Sequence, residues 1–143
     1  MDIGKLIEGR TSSDIVSCSI DTSVRDAVAL LASKRIGAVP VMDSGRVVGI
    51  FSERDVVYRL AEEGDMCLKR PLEEVMTAPA ITVERSSSVL DALALMTRRR
   101  IRHLPVVDNG SMCGFISIGD LVKARLDQIQ HEAEAMREYI QTA

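Results

Sequence analysis

One block of this chain occurs twice, and both copies keep a single register: Pro105 minus Pro40, Gly114 minus Gly49 and Asp120 minus Asp55 each give 65. The first copy runs from Ile36-Gly37-Ala38 through Pro40 and Asp43-Ser44-Gly45 to Gly49-Ile50-Phe51-Ser52-Glu53-Arg54-Asp55. The second runs from Ile101-Arg102-His103 through Pro105 and Asp108-Asn109-Gly110 to Gly114-Phe115-Ile116-Ser117-Ile118-Gly119-Asp120. Carried backwards, the same offset aligns Ser23, Val24, Asp26, Ala27, Ala29 and Leu30 with Ser88, Val89, Asp91, Ala92, Ala94 and Leu95. A repeat of this kind has to be recognised before any element is assigned. It predicts one compact domain of two half-domains, neither of which is expected to stand alone.

Composition narrows the function classes. Of 143 residues 46% are hydrophobic, enough for a sizeable core. The 18 basic and 21 acidic residues leave a net charge of −3, so no general positive field exists to draw in nucleic acid. Aromatic content is 3% with no tryptophan, which removes the stacking platforms of single-strand binders. No stretch approaches the roughly 20 apolar residues of a membrane span, and the N-terminus lacks a secretion-signal layout. Cys18, Cys67 and Cys113 are odd in number and widely spaced, which argues against a disulfide or zinc framework and for a reducing, cytoplasmic setting. His103 and His131 are the only histidines, and no nucleophile-elbow, zincin or Walker pattern occurs, so no catalytic role and no metal site are expected.

Read in order, residues 1–9 carry Ile3, Leu6 and Ile7 at helical spacing and form an N-terminal helix. The first repeat, 10–65, starts with a strand at Ile15 to Ser19. Ser23-Val-Arg-Asp26 is a capping box opening a helix to about Arg35, with Gly37 ending it. Strands Ala38 to Met42 and Arg46 to Phe51 follow, joined by a tight turn in which Gly45 supplies positive φ. A helix from Ser52 to Glu63 stops at Gly64. Residues 66–79 form a structured linker with a helical turn around Leu72 to Met76. The second repeat, 80–126, has strand Ala80 to Val83, helix Ser88 to Arg99, strands Arg102 to Val107 and Met112 to Ser117, then a helix from Ile118. That helix continues into a C-terminal extension, 127–143. Val122, Leu126, Ile129, Ala133, Met136 and Ile140 step by 4, 3, 4, 3 and 4, the seam spacing of a coiled coil. The stripe either meets a partner helix or folds back on its own domain.

The doubled strand-turn-strand pattern closing on Ser-x-x-Asp resembles the tandem cystathionine-β-synthase (CBS) domain pair, or Bateman module, over residues 10–126. It looks most like the small stand-alone bacterial proteins of that kind. The resemblance implies an α+β fold of two β-α-β-β-α repeats packed sheet to sheet about a pseudo-two-fold axis, with two equivalent clefts. Members of the family bind adenosyl ligands there and pass occupancy to a partner. The resemblance thus implies a regulatory sensor that needs no cofactor and whose ligand is first AMP, then ATP, ADP or NAD. It also implies an unidentified regulated protein; a homodimer is expected in which the C-terminal helices add contact area, with no membrane partner and nucleic acid disfavoured by the charge balance.

The residues support that reading and a plainer one beside it. A carboxylate accepts from both hydroxyls of a ribose, and a helix N-terminus attracts phosphate. Yet Ser-x-x-Asp is also a cap, as expected at Asp26 and Asp91. Following the resemblance, the first site takes Ser52, Arg54, Asp55, Thr82, Ile101, Arg102 and His103. The second takes Ser117, Asp120, Ser17, Ile36, Gly37 and Ala38. Arg54, Arg100, Arg102 and His103 are the phosphate candidates, while Arg98 and Arg99 read as a solvated helix face. Pro40 and Pro105 mark an edge or bulge in their strands. Gly37 and Ala38 leave room for a base where Arg102 and His103 are larger, and Ile118-Gly119 replaces Glu53-Arg54, so the two clefts differ chemically. The alternative function is a protein-interaction adaptor with empty clefts, working through its C-terminal helix.

Overall fold

The computed structural model describes residues 1–142; Ala143, the end of the expected extension, lies outside them. In chain order the elements are α1 (Ile3–Leu6), β1 (Cys18–Ser19), α2 (Val24–Lys34), β2 (Ala38–Asp43), β3 (Arg46–Ser52) and α3 (Glu53–Glu63). There follow α4 (Leu72–Val75), β4 (Val83–Glu84), α5 (Val89–Arg99), β5 (His103–Asp108), β6 (Ser111–Ser117) and α6 (Ile118–Thr142). Each repeat builds one three-stranded mixed sheet, ordered β1-β2-β3 and β4-β5-β6. The first pair of strands in each is parallel across a helix, and the second pair is an antiparallel hairpin. The sheets approach one another along β3 and β6. This is the expected α+β arrangement of two β-α-β-β-α repeats.

The leading strands are shorter than expected. Ile15 to Ser19 contributes only Cys18–Ser19, and Ala80 to Val83 only Val83–Glu84. The prolines explain the brevity. Pro40 lies opposite Ile50, whose N–H and C=O both pair with Thr77 at 3.0 and 2.9 Å, so the nitrogen of Pro40 faces β1. With no N–H to offer there, β2 accepts β1 only beyond the proline, at Val41 and Met42. A bulge follows at Val41/Met42 and again at Val106/Val107. The strand carrying each proline is formally central but locally an edge, as its residue type demands.

Two apolar clusters make the core, one per repeat. The first gathers Val24, Ala27, Leu31, Val39, Val41, Phe51, Leu72 and Val75; the second gathers Ile3, Ile7, Val89, Ala92, Met96, Leu104, Val106, Ile116 and Leu121. The N-terminal helix α1 therefore belongs to the core of the second repeat, and α4 to that of the first. Their attachments match bond for bond. Ile3 N donates to Ser87 O and Leu72 N to Thr22 O, both at 2.8 Å; Gly4 N donates to Arg85 O and Glu73 N to Ile20 O; Val89 N donates to Met1 O and Val24 N to Arg70 O. Since 72 minus 3 is 69, and 69 minus 65 is 4, the chain holds four more residues between α1 and β1 than between α4 and β4.

The repeated glycines make this docking possible. A Cβ on Gly49 would lie 2.6 Å from Met76 Sδ and 2.9 Å from Thr77 O, and one on Gly114 would lie 3.0 Å from Ile7 Cδ1. Both hairpins turn on two left-handed residues, Ser44-Gly45 and Asn109-Gly110, the backbone of a two-residue turn matched to strand twist. Gly37 does not end α2: the chain reverses at Arg35 (φ 53°), as it does at Arg100 (φ 55°) after α5. In each case the next amide reaches back, Ile36 N to Leu31 O and Ile101 N to Met96 O, which satisfies the helix end without a glycine. The C-terminal helix α6 runs 25 residues. It anchors through Leu121 and Ala124, but Val122, Leu126, Ile129, Met136 and Ile140 are exposed, so the stripe does not fold back on its own domain. Cys18, Cys67 and Cys113 are free thiols.

Candidate functional site

A cleft of about 550 Å³ opens where the repeats meet. One wall is Gly37 and Ala38 at the start of β2, Ile50 and Ser52 of β3, and Glu53, Arg54, Asp55 and Val57 from the first turns of α3. The other is Arg99, Arg100, Ile101, Arg102 and His103 at the junction of α5 and β5. Thr77, Pro79, Ala80 and Ile81 close the rim. The repeat offset puts these parts together: the helix start after the hairpin of one copy meets the helix end before the hairpin of the other. A Cβ on Gly37 would stand 3.6 Å from Glu53 Oε1 and 3.7 Å from His103 Cε1, so a larger residue there would narrow the cleft floor.

Asp55 serves the helix and the cleft at once. Its Oδ2 accepts from Ser52 N at 2.9 Å and Ser52 Oγ at 3.2 Å, the cap expected on spacing alone. Its Oδ1 accepts from Thr77 Oγ1 at 3.0 Å. A carboxylate oxygen holds two lone pairs, so one acceptor site on Oδ1 remains for a ligand hydroxyl. At the starts of α2 and α5 the caps are the serines, Ser23 Oγ and Ser88 Oγ accepting from the Asp26 and Asp91 amides at 3.1 and 3.0 Å.

Cations crowd the cleft. Arg54, Arg99, Arg100 and Arg102 line the cleft against the two carboxylates of Glu53 and Asp55, a surplus of positive charge suited to a phosphate. Arg54 Nη1 donates to Arg100 O at 2.9 Å and so ties the repeats together across the cleft. The left-handed backbone of Arg100 is what turns that carbonyl toward it. His103 stacks on Phe115 with ring centroids 5.6 Å apart. Burial holds its pKa below the ordinary histidine value; Asp120 pulls the other way, Arg102 adds to the lowering, and Glu53 opposes it.

Of the residues expected at the first site, Ser52, Arg54, Asp55, Ile101, Arg102 and His103 line this cleft, and Arg100 joins them as a phosphate candidate. Thr82 does not. It follows the cleft-facing Ile81 and precedes the buried Val83 of β4, so the alternation of extended chain turns it away. Arg98 is exposed outside the cleft, whereas Arg99 lines it. The second set falls in several surroundings. Gly37 and Ala38 line the first cleft instead, Ile36 packs on the core of the first repeat, and Ser17 is exposed. Ser117 and Asp120 form their own capping box, Ser117 N to Asp120 Oδ2 at 2.9 Å and Asp120 N to Ser117 Oγ at 3.2 Å. Asp120 Oδ1 then faces Arg10 Nη2 at 3.5 Å. Sequence reasoning missed Thr77 and Pro79 because they fall at the end of a stretch read as linker, and Ala80 and Ile81 because they were read as the start of a strand. Thr77 is anchored by its pairing with Ile50, which the repeat offset alone does not reveal.

Comparison with known proteins places the chain. The family model described as CBS domain matches it twice, at residues 5–62 and 72–127. The CBS domain-containing protein CBSX3, mitochondrial, of Arabidopsis thaliana is 35% identical over 129 residues, 87% of this chain; the chain spans 63% of that protein's length. A solved structure of a CBS-domain containing protein from Agrobacterium tumefaciens superposes with a TM-score of 0.81 at 37% identity, covering 87% of this chain and 99% of that one. The structure of CBSX2 in complex with AMP superposes with a TM-score of 0.75 at 28% identity, covering 90% of this chain and 98% of that one.

Proposed function

The chain belongs to the CBS domain family, and from that premise we propose that it is a regulatory module whose inter-repeat cleft binds an adenosine phosphate. AMP is the first choice, ahead of ATP, ADP and NAD. The observation that carries the reading is the pairing inside one cleft of Asp55, which has an acceptor to spare, with Arg54, Arg99, Arg100 and Arg102. Ribose goes to the carboxylate, phosphate to the guanidinium groups, and the purine between the apolar lining residues Ala38, Ile50, Ile81 and Ile101. The AMP held by the related CBSX2 supports this assignment.

Occupancy changes the protein only as far as it favours one arrangement of the repeats over another. The Arg54 to Arg100 bond is the natural relay, since a phosphate competing for Arg54 loosens it. The outcome reaches a regulated protein through the outer surface, in a cytoplasmic homodimer whose contacts include α6. The role proposed is regulation. The exposed stripe on α6 favours a second reading, an interaction adaptor that works with its cleft empty. Thermal shift against AMP, ADP, ATP, NAD and S-adenosylmethionine separates the two. Dose-dependent stabilisation by the phosphate-bearing ligands supports the sensor; a flat response across the panel leaves the adaptor.

A further inference from the structure

We propose that the far part of α6 pairs with α6 of a second copy as a parallel, in-register coiled coil. The inference rests on the homodimer of the proposed function and gives it an interface and a direction.

The family match ends at residue 127, yet α6 runs on to Thr142. Every residue from 129 to 142 is exposed, so about 21 Å of helix stands clear of the body. A bare helix of that length is marginal in water, which makes a covering partner part of its stability. The stripe to be covered is Val122, Leu126, Ile129, Ala133, Met136 and Ile140, and its five large members are all exposed. Asp127, His131, Glu134 and Glu138 keep the outer face polar. A seam of this spacing fits another of the same spacing, and a second copy of the chain supplies one.

The charges beside the seam set the direction. With Leu126, Ala133 and Ile140 at heptad position a and Val122, Ile129 and Met136 at d, Arg125 and Glu132 fall at g, and Lys123, Gln130 and Arg137 at e. In a parallel pair each g residue meets an e residue five positions further along the partner. Glu132 then faces the partner's Arg137 on both sides of the seam, and Arg125 faces a neutral glutamine. An antiparallel pair that covers all six seam residues sets e against e and g against g, so Lys123 meets arginine and Glu132 meets glutamate. Sliding that pair by one heptad separates the like charges but leaves two seam residues of each chain bare. Ala133 fits two helices, which close up over its small side chain, where three or more would leave a void. The base of α6 is tied to the cleft: Ile118 N donates to Arg102 O at 2.8 Å, and Arg102 lines the wall. Parallel pairing therefore holds two clefts at the same end of one rod.

Disulfide crosslinking of the full chain under mild oxidation tests the direction. Met136→Cys alone is expected to give a covalent dimer, because facing seam residues lie within disulfide reach. His131→Cys, on the outer face, and wild type are expected to give none. All these positions are exposed, so the fold does not depend on them. Arg137→Glu should weaken the dimer roughly three- to ten-fold on dilution in light scattering, and adding Glu132→Arg should restore it to within about two-fold. A covalent product that forms only when Met136→Cys chains are mixed with Leu126→Cys chains would mean antiparallel helices and overturn the proposal. So would equal crosslinking through His131→Cys, or a charge swap that fails to restore the dimer. A dimer with no crosslink at either seam position sinks the coiled coil and keeps the homodimer, whereas a monomeric wild type sinks both.

Discussion

Asp55 carries the largest share of the account, because one side chain holds a helix end with Oδ2 and leaves Oδ1 partly free in the cleft. Asp55→Asn keeps the shape and loses the charge, so AMP affinity by calorimetry should fall on the order of 10- to 100-fold, the worth of a charge-assisted hydrogen bond. His103 gives a pH test. The unfolded ring takes its proton near 6.5, whereas burial keeps the folded ring neutral to lower pH. The unfolded chain therefore binds more protons in that window, and stability falls as pH drops through about 6.5. Asp14 and Glu63, held low by hydrogen bonds from Thr11 and from Arg70, titrate below that window. Urea midpoints between about pH 7.5 and about pH 5.5 should show the decline in wild type and a flatter line in His103→Gln. Gly49 is a packing test: its missing Cβ would meet the Thr77 carbonyl at 2.9 Å, so Gly49→Ala should cost about 1–3 kcal/mol in denaturant unfolding.

Among the elements, α1 is where the sequence was least readable. Ile3, Leu6 and Ile7 share their spacing with Leu72, Val75 and Met76, but the match runs at an offset of 69 while everything from Ile15 onward runs at 65, so the four-residue insertion hides it. The hairpins were readable to within a residue at each strand end, since Gly45 and Gly110 sit between two apolar runs where a tight turn needs positive φ. The leading strands were not, because Pro40 and Pro105 decide how far they pair and that depends on the register with β3 and β6. If α1 belongs to the core of the second repeat, Ile3→Ala should destabilise the protein by about 2–5 kcal/mol, as in any buried position, although it lies outside the repeat as first read. The exposed stripe of α6 belongs to the dimer proposal. Deleting residues 130–143 should lower the solution mass measured by light scattering from that of a dimer toward that of a monomer, and an unchanged dimer would remove α6 from the interface.

At the scale of the whole molecule, two copies of one unit exchange their attachments: α1 completes the second core and the linker helix α4 completes the first. That crossing puts Thr77 against Asp55 in one half and Arg10 against Asp120 in the other, so a near-symmetric fold gives its two equivalent carboxylates different neighbours. The central claim is that an adenosine phosphate sits between the repeats with its ribose at Asp55. Amide chemical shifts followed while AMP is added to isotope-labelled protein test it most directly. The account predicts saturable shifts confined to Gly37 and Ala38, Ser52 to Asp55, Thr77 to Ile81 and Arg99 to His103. Shifts that map elsewhere, or none at millimolar AMP, would contradict it.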